Sequence, residues 1–284
     1  YDEDALTSTE TPEYNYTLPQ GDHPYDAKIV DWFDRCGFYI LYKFEPRDAY
    51  WNIRTWLGAD AGDPASGSFL APQANEAYVD GMLDVLERKM LNFYPDTMLR
   101  RCMPIKVLLC DSIRKSSSDP GYLFQFDCLL LSGAKGKLQS KKPSEMDVLK
   151  SSLNYDFLER LRTNGKIVQS EEFFTVSSYN ETYDSKTGVV YSYGYINTWS
   201  QKKSKDYDWR EFVEAILKTP YKELTAEPDS PDYAWKDFKG ILHEKRDVKG
   251  LIRKKYDIMI RYFKDMYGVD LQKIGDANEV VKEE

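Results

Sequence analysis

A stripe of large apolar side chains, recurring every four residues, is the strongest constraint that this sequence places on its fold. The stripe consists of Leu149, Leu153, Phe157 and Leu161. Residues four apart lie on one face of an α-helix, so this face is expected to pack against a core. The helix begins near Pro143, where Ser144 and Asp147 resemble a capping box, and Gly165 is suited to end it. The spacing therefore predicts a long, half-buried helix.

Segments rich in aromatic and branched residues precede this helix and predict strands at 37–44, 105–110 and 122–131. Apolar residues at helical spacing predict helices at 74–94, 208–218 and 233–267, and residues 189–199 are predicted to be extended. Strands thus cluster early and helices late. The predicted class is α+β, with a small N-terminal sheet and a mainly helical C-terminal part.

The charge balance excludes nucleic acid as a partner. The net charge is -8, and wrapping a phosphate backbone requires a basic face. The lysine-rich stretches at 135–142 and 202–205 lie among Gly, Ser and Gln, and are interpreted as solvated loops. Apolar runs such as 129–131 are far shorter than the roughly 18 residues that a membrane-spanning helix needs.

Cysteine and histidine usage limits the metal chemistry that is open to this chain. The cysteines are Cys36, Cys102, Cys110 and Cys128. No two of them form a C-x-x-C pair, which argues against a cysteine zinc site, and buried thiols are expected at Cys102, Cys110 and Cys128 instead. The two histidines, His23 and His243, are far apart in the sequence, whereas catalytic zinc sites commonly use two or three.

Three segments carry a resemblance to a known family. They are ILYKFEPRDAYWNI, which begins at residue 40, EAYVDGMLDVLERKML, which begins at residue 76, and KGLIRKKYDIMIRYFKDMYGVDLQKI, which begins at residue 249. In these segments and their order, the chain resembles the Bacteroidetes lipoproteins described as substrate-import-associated zinc metallohydrolases, or zinc-binding metallopeptidases. The resemblance covers most of the chain from about residue 24. It implies a zincin-like metallopeptidase scaffold.

The active-site helix of that family carries H-E-x-x-H, in which two histidines bind zinc and the glutamate acts as general base. The stretch NYDFLERL matches this motif in frame, with Tyr155 and Glu159 at the histidine positions and Asp156 at the glutamate position. The later stretch REFVE places Glu214 where the family has its third ligand. The resemblance therefore implies a vestigial motif, in which a Tyr155→His, Asp156→Glu, Glu159→His variant would regain zinc.

Three interpretations of these positions remain open. Zinc prefers imidazole and thiolate, so a tyrosine with two carboxylates is a poor zinc set, and no cofactor is expected. Glu159 and Glu214 are acidic and are the candidates for calcium or another hard cation. An active metallohydrolase with an atypical ligand set is the third interpretation.

Two other features are candidates for function. His243, Glu244 and Asp247 form a pattern like H-E-x-x-H with Asp in the last place, interpreted as part of a surface helix. The aromatic residues Tyr50, Trp51 and Trp56 precede a Gly/Ala/Asp-rich loop and are the candidate ligand-binding platform.

The predicted function is a non-catalytic, metallopeptidase-like lipoprotein that assists the capture of a glycan or peptide nutrient; the alternative is a zinc-dependent metallohydrolase. The resemblance implies outer-membrane nutrient importer components as partners and a place at the outer membrane, on the cell surface or the periplasmic face. It implies membrane attachment only through a lipid anchor upstream of residue 1, which this sequence does not contain. The predicted organisation is a flexible tether at 1–24, a single domain at 25–275 and a frayed tail at 276–284.

Overall fold

The computed structural model describes residues 16–49, 69–114, 118–180, 189–196, 204–232 and 236–279. The chain divides into two compact units. Unit 1 consists of residues 1–80 and 104–135, and unit 2 consists of residues 81–103 and 136–284. The predicted single domain at 25–275 spans both units.

The described residues form strands early in the chain and helices throughout it. The strands are β1 (Tyr39–Leu41), β2 (Lys106–Cys110), β3 (Tyr122–Phe124) and β4 (Cys128–Ser132). The helices are α1 (Asp26–Cys36), α2 (Pro46–Ala49), α3 (Glu76–Lys89), α4 (Asp96–Cys102), α5 (Pro143–Thr163), α6 (Glu171–Phe174), α7 (Lys205–Lys218), α8 (Tyr221–Leu224), α9 (Leu251–Tyr267) and α10 (Leu271–Asp276). Short 3-10 turns occur at Leu91–Phe93, Leu138–Ser140 and Val190–Tyr193. In the part of the chain that the structure describes, no helix has the length and apolarity to cross a membrane.

One four-stranded sheet lies in unit 1, with the strand order β1-β2-β4-β3. β1, β2 and β4 are parallel, and β3 pairs antiparallel with β4. Every residue of β2 and β4 is buried, as expected for central parallel strands that are covered on both faces. The predicted α+β class, with a small sheet and a mainly helical C-terminal part, is confirmed.

Residues 16–24, predicted as part of a flexible tether, pack against the rest of unit 1. Tyr16 and Leu18 pack against the hydrophobic cluster that includes Leu41, Leu108 and Leu130 of the sheet. The Tyr16 hydroxyl donates to Asp48 at 2.6 Å, and the backbone N–H of Tyr42 donates to Gln20 at 2.9 Å. Burying apolar surface contributes about 25 cal/mol per Å². The packing of Tyr16 and Leu18 and the two hydrogen bonds therefore hold residues 16–24 against unit 1. Residues 1–15 lie outside the described residues.

Two predicted strands differ from the structure. The predicted strand at 122–131 is two strands, because the chain turns at Phe126 and the backbone N–H of Gln125 donates to the carbonyl of Cys128 at 2.8 Å. The predicted extended segment at 189–199 contains a 3-10 turn at Val190–Tyr193 instead, while residues 197–199 lie outside the described residues. There Gly194 adopts φ 79°, a left-handed conformation that ends the turn.

The predicted helix at 233–267 begins only at Leu251, because residues 236–250 form a series of turns. The buried guanidinium of Arg246 holds these turns by donating to four backbone carbonyls, those of Ser230, Asp232, Asp237 and Lys239. A guanidinium has five N–H donors on one planar group. These donors can bond to carbonyl oxygens that would otherwise accept from backbone N–H groups in a helix. Tertiary contact therefore overrides the helical pattern.

Smaller differences concern the ends of helices. The α5 capping interaction lies at Lys142, whose backbone N–H donates to Glu145 at 2.9 Å, and not at Ser144 and Asp147. Helix α1 is absent from the sequence analysis, although its buried residues Ile29, Trp32 and Cys36 have helical spacing. In the predicted tail, the Asn278 side chain accepts from Lys150 at 2.6 Å.

All four cysteines have free thiols, and those of Cys36, Cys110 and Cys128 are buried.

Candidate functional site

Helices α5 and α7 of unit 2 carry the candidate site residues. The predicted stripe on α5 is buried: Leu149, Leu153, Phe157 and Leu161 are each at most 7% exposed. This packing fixes the rotation of α5 about its axis. It leaves Tyr155 and Glu159 half-buried on a different face, and α7 packs against α5. Glu214 lies on α7, near its C-terminal end.

The Glu159 carboxylate is surrounded by arginine. Its Oε1 accepts from Arg162 Nε at 3.1 Å, and its Oε2 accepts from Arg162 Nη2 at 3.0 Å. Arg210 Nε lies 2.9 Å from the same Oε2. The Glu159 side chain is only 15% exposed, so water screens these contacts less than on an open surface. Both of its oxygens are therefore engaged by guanidinium groups.

Arg210 also contacts the residue at the first histidine position. Its Nε donates to the Tyr155 hydroxyl at 3.2 Å. Burial raises the pKa of Tyr155 to about 12, with the negative charges of Glu159 and Glu214 adding to the rise and Arg210 opposing it. Tyr155 is consequently a neutral phenol at pH 7.

Glu214 has a separate pair of cations. Lys218 Nζ, one turn later on α7, forms an ion pair with its Oε1, and Lys236 Nζ lies 2.9 Å from the same oxygen. Burial alone would raise the pKa of this carboxyl, but the hydrogen bonds from the two lysines outweigh burial and the pKa is lowered. Glu214 is therefore an ionised, cation-paired carboxylate.

Asp156 follows Tyr155 on α5 and is exposed. His23 belongs to unit 1, where its Nε2 lies 2.6 Å from Glu76 Oε2. Tyr50, Trp51 and Trp56 lie outside the described residues.

The pattern at His243, Glu244 and Asp247 has a structural role, and it lies in a turn instead of the predicted surface helix. The Asp247 carboxylate accepts from the backbone N–H groups of Ile252 and Arg253 at 3.0 and 2.8 Å. It thereby satisfies donors that the first turn of α9 leaves without intrahelical partners. His243 Nδ1 accepts from the backbone N–H of Lys245 at 3.2 Å.

The residues at the motif positions do not fit a zinc ion. Zinc binds imidazole, thiolate or carboxylate, yet Tyr155 is a neutral phenol and both carboxylates are already neutralised by arginine or lysine. A zinc or calcium ion would have to displace a protein cation at Glu159 and at Glu214. Within the described ranges, no group of three or more His, Cys, Asp or Glu side chains is arranged to hold a metal ion.

Arg210 is a residue of this site that the motif match does not identify. It opens the REFVE stretch and precedes Glu214 by four residues, so helical spacing places both on one face of α7. Glu214 is expected to face α5, so Arg210, on the same face of α7, is expected to face α5 as well. The four-residue spacing is therefore the sequence signal for Arg210.

Comparison with known proteins bears on the fold alone. No protein-family model matches the sequence, and the comparison with curated proteins gives no match. Among solved structures, the chain is similar to a crystal structure from Bacteroides caccae described as a "putative zinc-binding metallo-peptidase". The similarity covers 90% of this chain and 92% of that chain, with a TM-score of 0.52 and 15% sequence identity. The expected metallopeptidase-like fold is thereby confirmed, and at this identity the similarity carries no activity across.

Proposed function

We propose that this chain uses a metallopeptidase-like fold to bind a ligand without hydrolysing it. The observation that carries the proposal is the ion pairing at the motif positions, where Arg210 lies between Tyr155 and Glu159 and two lysines hold Glu214. A zinc hydrolase needs ligands that are free to bind the metal, with an open position for water. In this chain those positions are occupied by protein cations.

Protein purified without chelators is expected to contain much less than one zinc or calcium ion per chain. It is also expected to release no products from casein or from fluorogenic peptides above the level of a Glu159→Ala, Glu214→Ala variant. Elemental analysis and product release are the measurements. About one tightly held zinc per chain, lost in Glu214→Ala together with hydrolysis, would contradict the proposal and establish the metallohydrolase alternative.

We further propose that the chain acts as an outer-membrane lipoprotein, on the cell surface or the periplasmic face, beside components of a nutrient importer. The support is the sequence resemblance to import-associated lipoproteins, in which a cysteine upstream of residue 1 would carry the anchor. The captured nutrient would be a glycan or a peptide.

Labelling cells of the native organism with an alkyne fatty acid tests the location. The full-length protein is expected to carry the label and to enter the outer-membrane fraction. Replacing the anchor cysteine by alanine is the matched control and is expected to remove both the label and the membrane association. An unlabelled protein in the cytosolic fraction would contradict the proposed location.

A further inference from the structure

The two motif positions on α5 converge on a single cation. In an H-E-x-x-H helix, side chains four residues apart bind one metal ion. Here the Tyr155 hydroxyl lies 3.2 Å from Arg210 Nε, and Glu159 Oε2 lies 2.9 Å from that same nitrogen. The guanidinium of Arg210 thus takes the position, relative to this helix face, that the motif gives to the metal.

The orientation of Arg210 is fixed on one edge only. Its Nε edge faces Tyr155 and Glu159, and Glu159 is held in turn by Arg162, whose Nη1 donates to Asp206 at 2.6 Å. The terminal nitrogens Nη1 and Nη2 of Arg210 have no hydrogen-bond partner in the part of the chain that the structure describes. The Arg210 side chain is 39% exposed. A pre-oriented pair of donors therefore faces solvent.

Arg210 and Arg162 share two nearby carboxylates, those of Glu159 and Asp206. The carboxylate of Glu159 is shared between Arg210 and Arg162, and Arg162 has Asp206 as a second partner. Lys218 and Lys236 form ion pairs with Glu214, which lies four residues after Arg210 on α7. An incoming anion would meet, at Arg210, terminal N–H donors that no described side chain uses.

We propose that Nη1 and Nη2 of Arg210 bind a carboxylate group of the ligand, at the place where the metallopeptidase motif would hold its metal. This inference rests on the proposed binding function and names its ligand chemistry. The planar fork of a guanidinium matches the two oxygens of a carboxylate, and such bidentate pairs are stronger than neutral hydrogen bonds. Tyr207, three residues earlier on α7 and 37% exposed, is spaced to lie on the same helix face as Arg210.

The shared chemistry is a carboxylate, and two ligand sources supply it: the C-terminus of a peptide or a uronic acid in a glycan. One arm of the experiment compares N-acetyl-tetraalanine with its C-terminal amide. The other compares tri-galacturonate with its methyl ester. Calorimetric titration gives the affinities, and the NMR signal of the Arg210 Nε–H group reports binding locally. In at least one arm, the free acid is expected to bind about tenfold more tightly than its neutral partner.

Arg210→Gln is expected to weaken binding of that acid by about tenfold or more, and Arg210→Lys by less, because a lysine keeps the charge and loses the fork. Arg35→Gln is the matched control, since Arg35 is 38% exposed and its Nε lies 2.9 Å from Asp31. That control should bind like the parent. Circular dichroism of each variant establishes that it is folded.

The inference is overturned if acid and neutral probes bind equally in both arms, or if Arg210→Gln and Arg35→Gln bind alike. If the protein holds no metal, shows no hydrolysis, and binds the acid equally well with and without Arg210→Gln, this inference is refuted and the proposed function stands. A stoichiometric zinc that is lost in Glu214→Ala would instead refute the proposed function.

Discussion

Lys255→Met is expected to lower the free energy of unfolding of unit 2 by about 3–5 kcal/mol, because it leaves a buried carboxylate without its cation. Lys255 is fully buried, and its Nζ lies 2.6 Å from Asp208 Oδ2 and 2.8 Å from the carbonyl oxygen of Gly194. Aromatic rings surround the ammonium, the nearest being that of Tyr195 at 4.4 Å from its centroid. Burial lowers the pKa of Lys255, and Asp208 opposes that shift.

Urea denaturation followed by circular dichroism and tryptophan fluorescence measures the loss. Lys254→Met is the matched control, because Lys254 is the neighbouring residue on α9 and is exposed; its effect should stay within about 0.5 kcal/mol. Adding Asp208→Asn to Lys255→Met should recover a large part of the stability, since the orphaned charge is then removed while an acceptor for the Tyr179 hydroxyl remains. Equal stabilities for Lys255→Met and Lys254→Met would show that this ion pair contributes nothing.

Rebuilding the zinc motif is expected to require the removal of Arg210. The sequence alone predicts zinc binding for Tyr155→His, Asp156→Glu, Glu159→His. The structure changes that prediction, because losing Glu159 leaves the guanidinium groups of Arg162 and Arg210 beside the new imidazoles. By Coulomb's law, a guanidinium about 5 Å from a divalent cation costs about 7 kcal/mol at an effective dielectric constant of about 20, and less where water screens the charges. The triple variant is therefore expected to bind zinc no better than the parent.

Adding Arg210→Ala to the triple variant is expected to tighten zinc binding by about 100-fold, or roughly 2.7 kcal/mol. Glu214 remains available as the third ligand, although Lys218 and Lys236 compete for it and second-shell partners for the imidazoles are not in place. Zinc titration by calorimetry compares the four proteins: parent, triple variant, quadruple variant, and quadruple variant with Glu214→Ala. If the triple variant binds zinc as tightly as the quadruple variant, Arg210 does not occupy the metal position.

The sequence predicted those helices and strands whose buried residues recur at a regular spacing or form one unbroken apolar run. The stripe that begins at Leu149 predicted α5, and the predicted strands at 105–110 and 122–131 contain β2 and β4. Along α5 the buried side chains recur with the period of the helix, and the unbroken apolar runs of β2 and β4 suit strands that are covered on both faces, so local preference and tertiary packing agree. The turns at 236–250 differ because the guanidinium of Arg246 organises them through carbonyls up to 16 residues away.

The sequence by itself determined the frame of the candidate site. Tyr155 and Glu159 are four apart on one helix, Glu214 follows Arg210 by four on another, and a helical period places each pair on one face. The tertiary structure decided which charges neutralise them. Lys218 lies on the same helix as Glu214, but Lys236 comes from the turns before α9, and Arg210 reaches Glu159 from α7. Helical spacing identifies neighbours within one element only; which side chain of another element fills the space beside Tyr155 depends on how α5 and α7 pack.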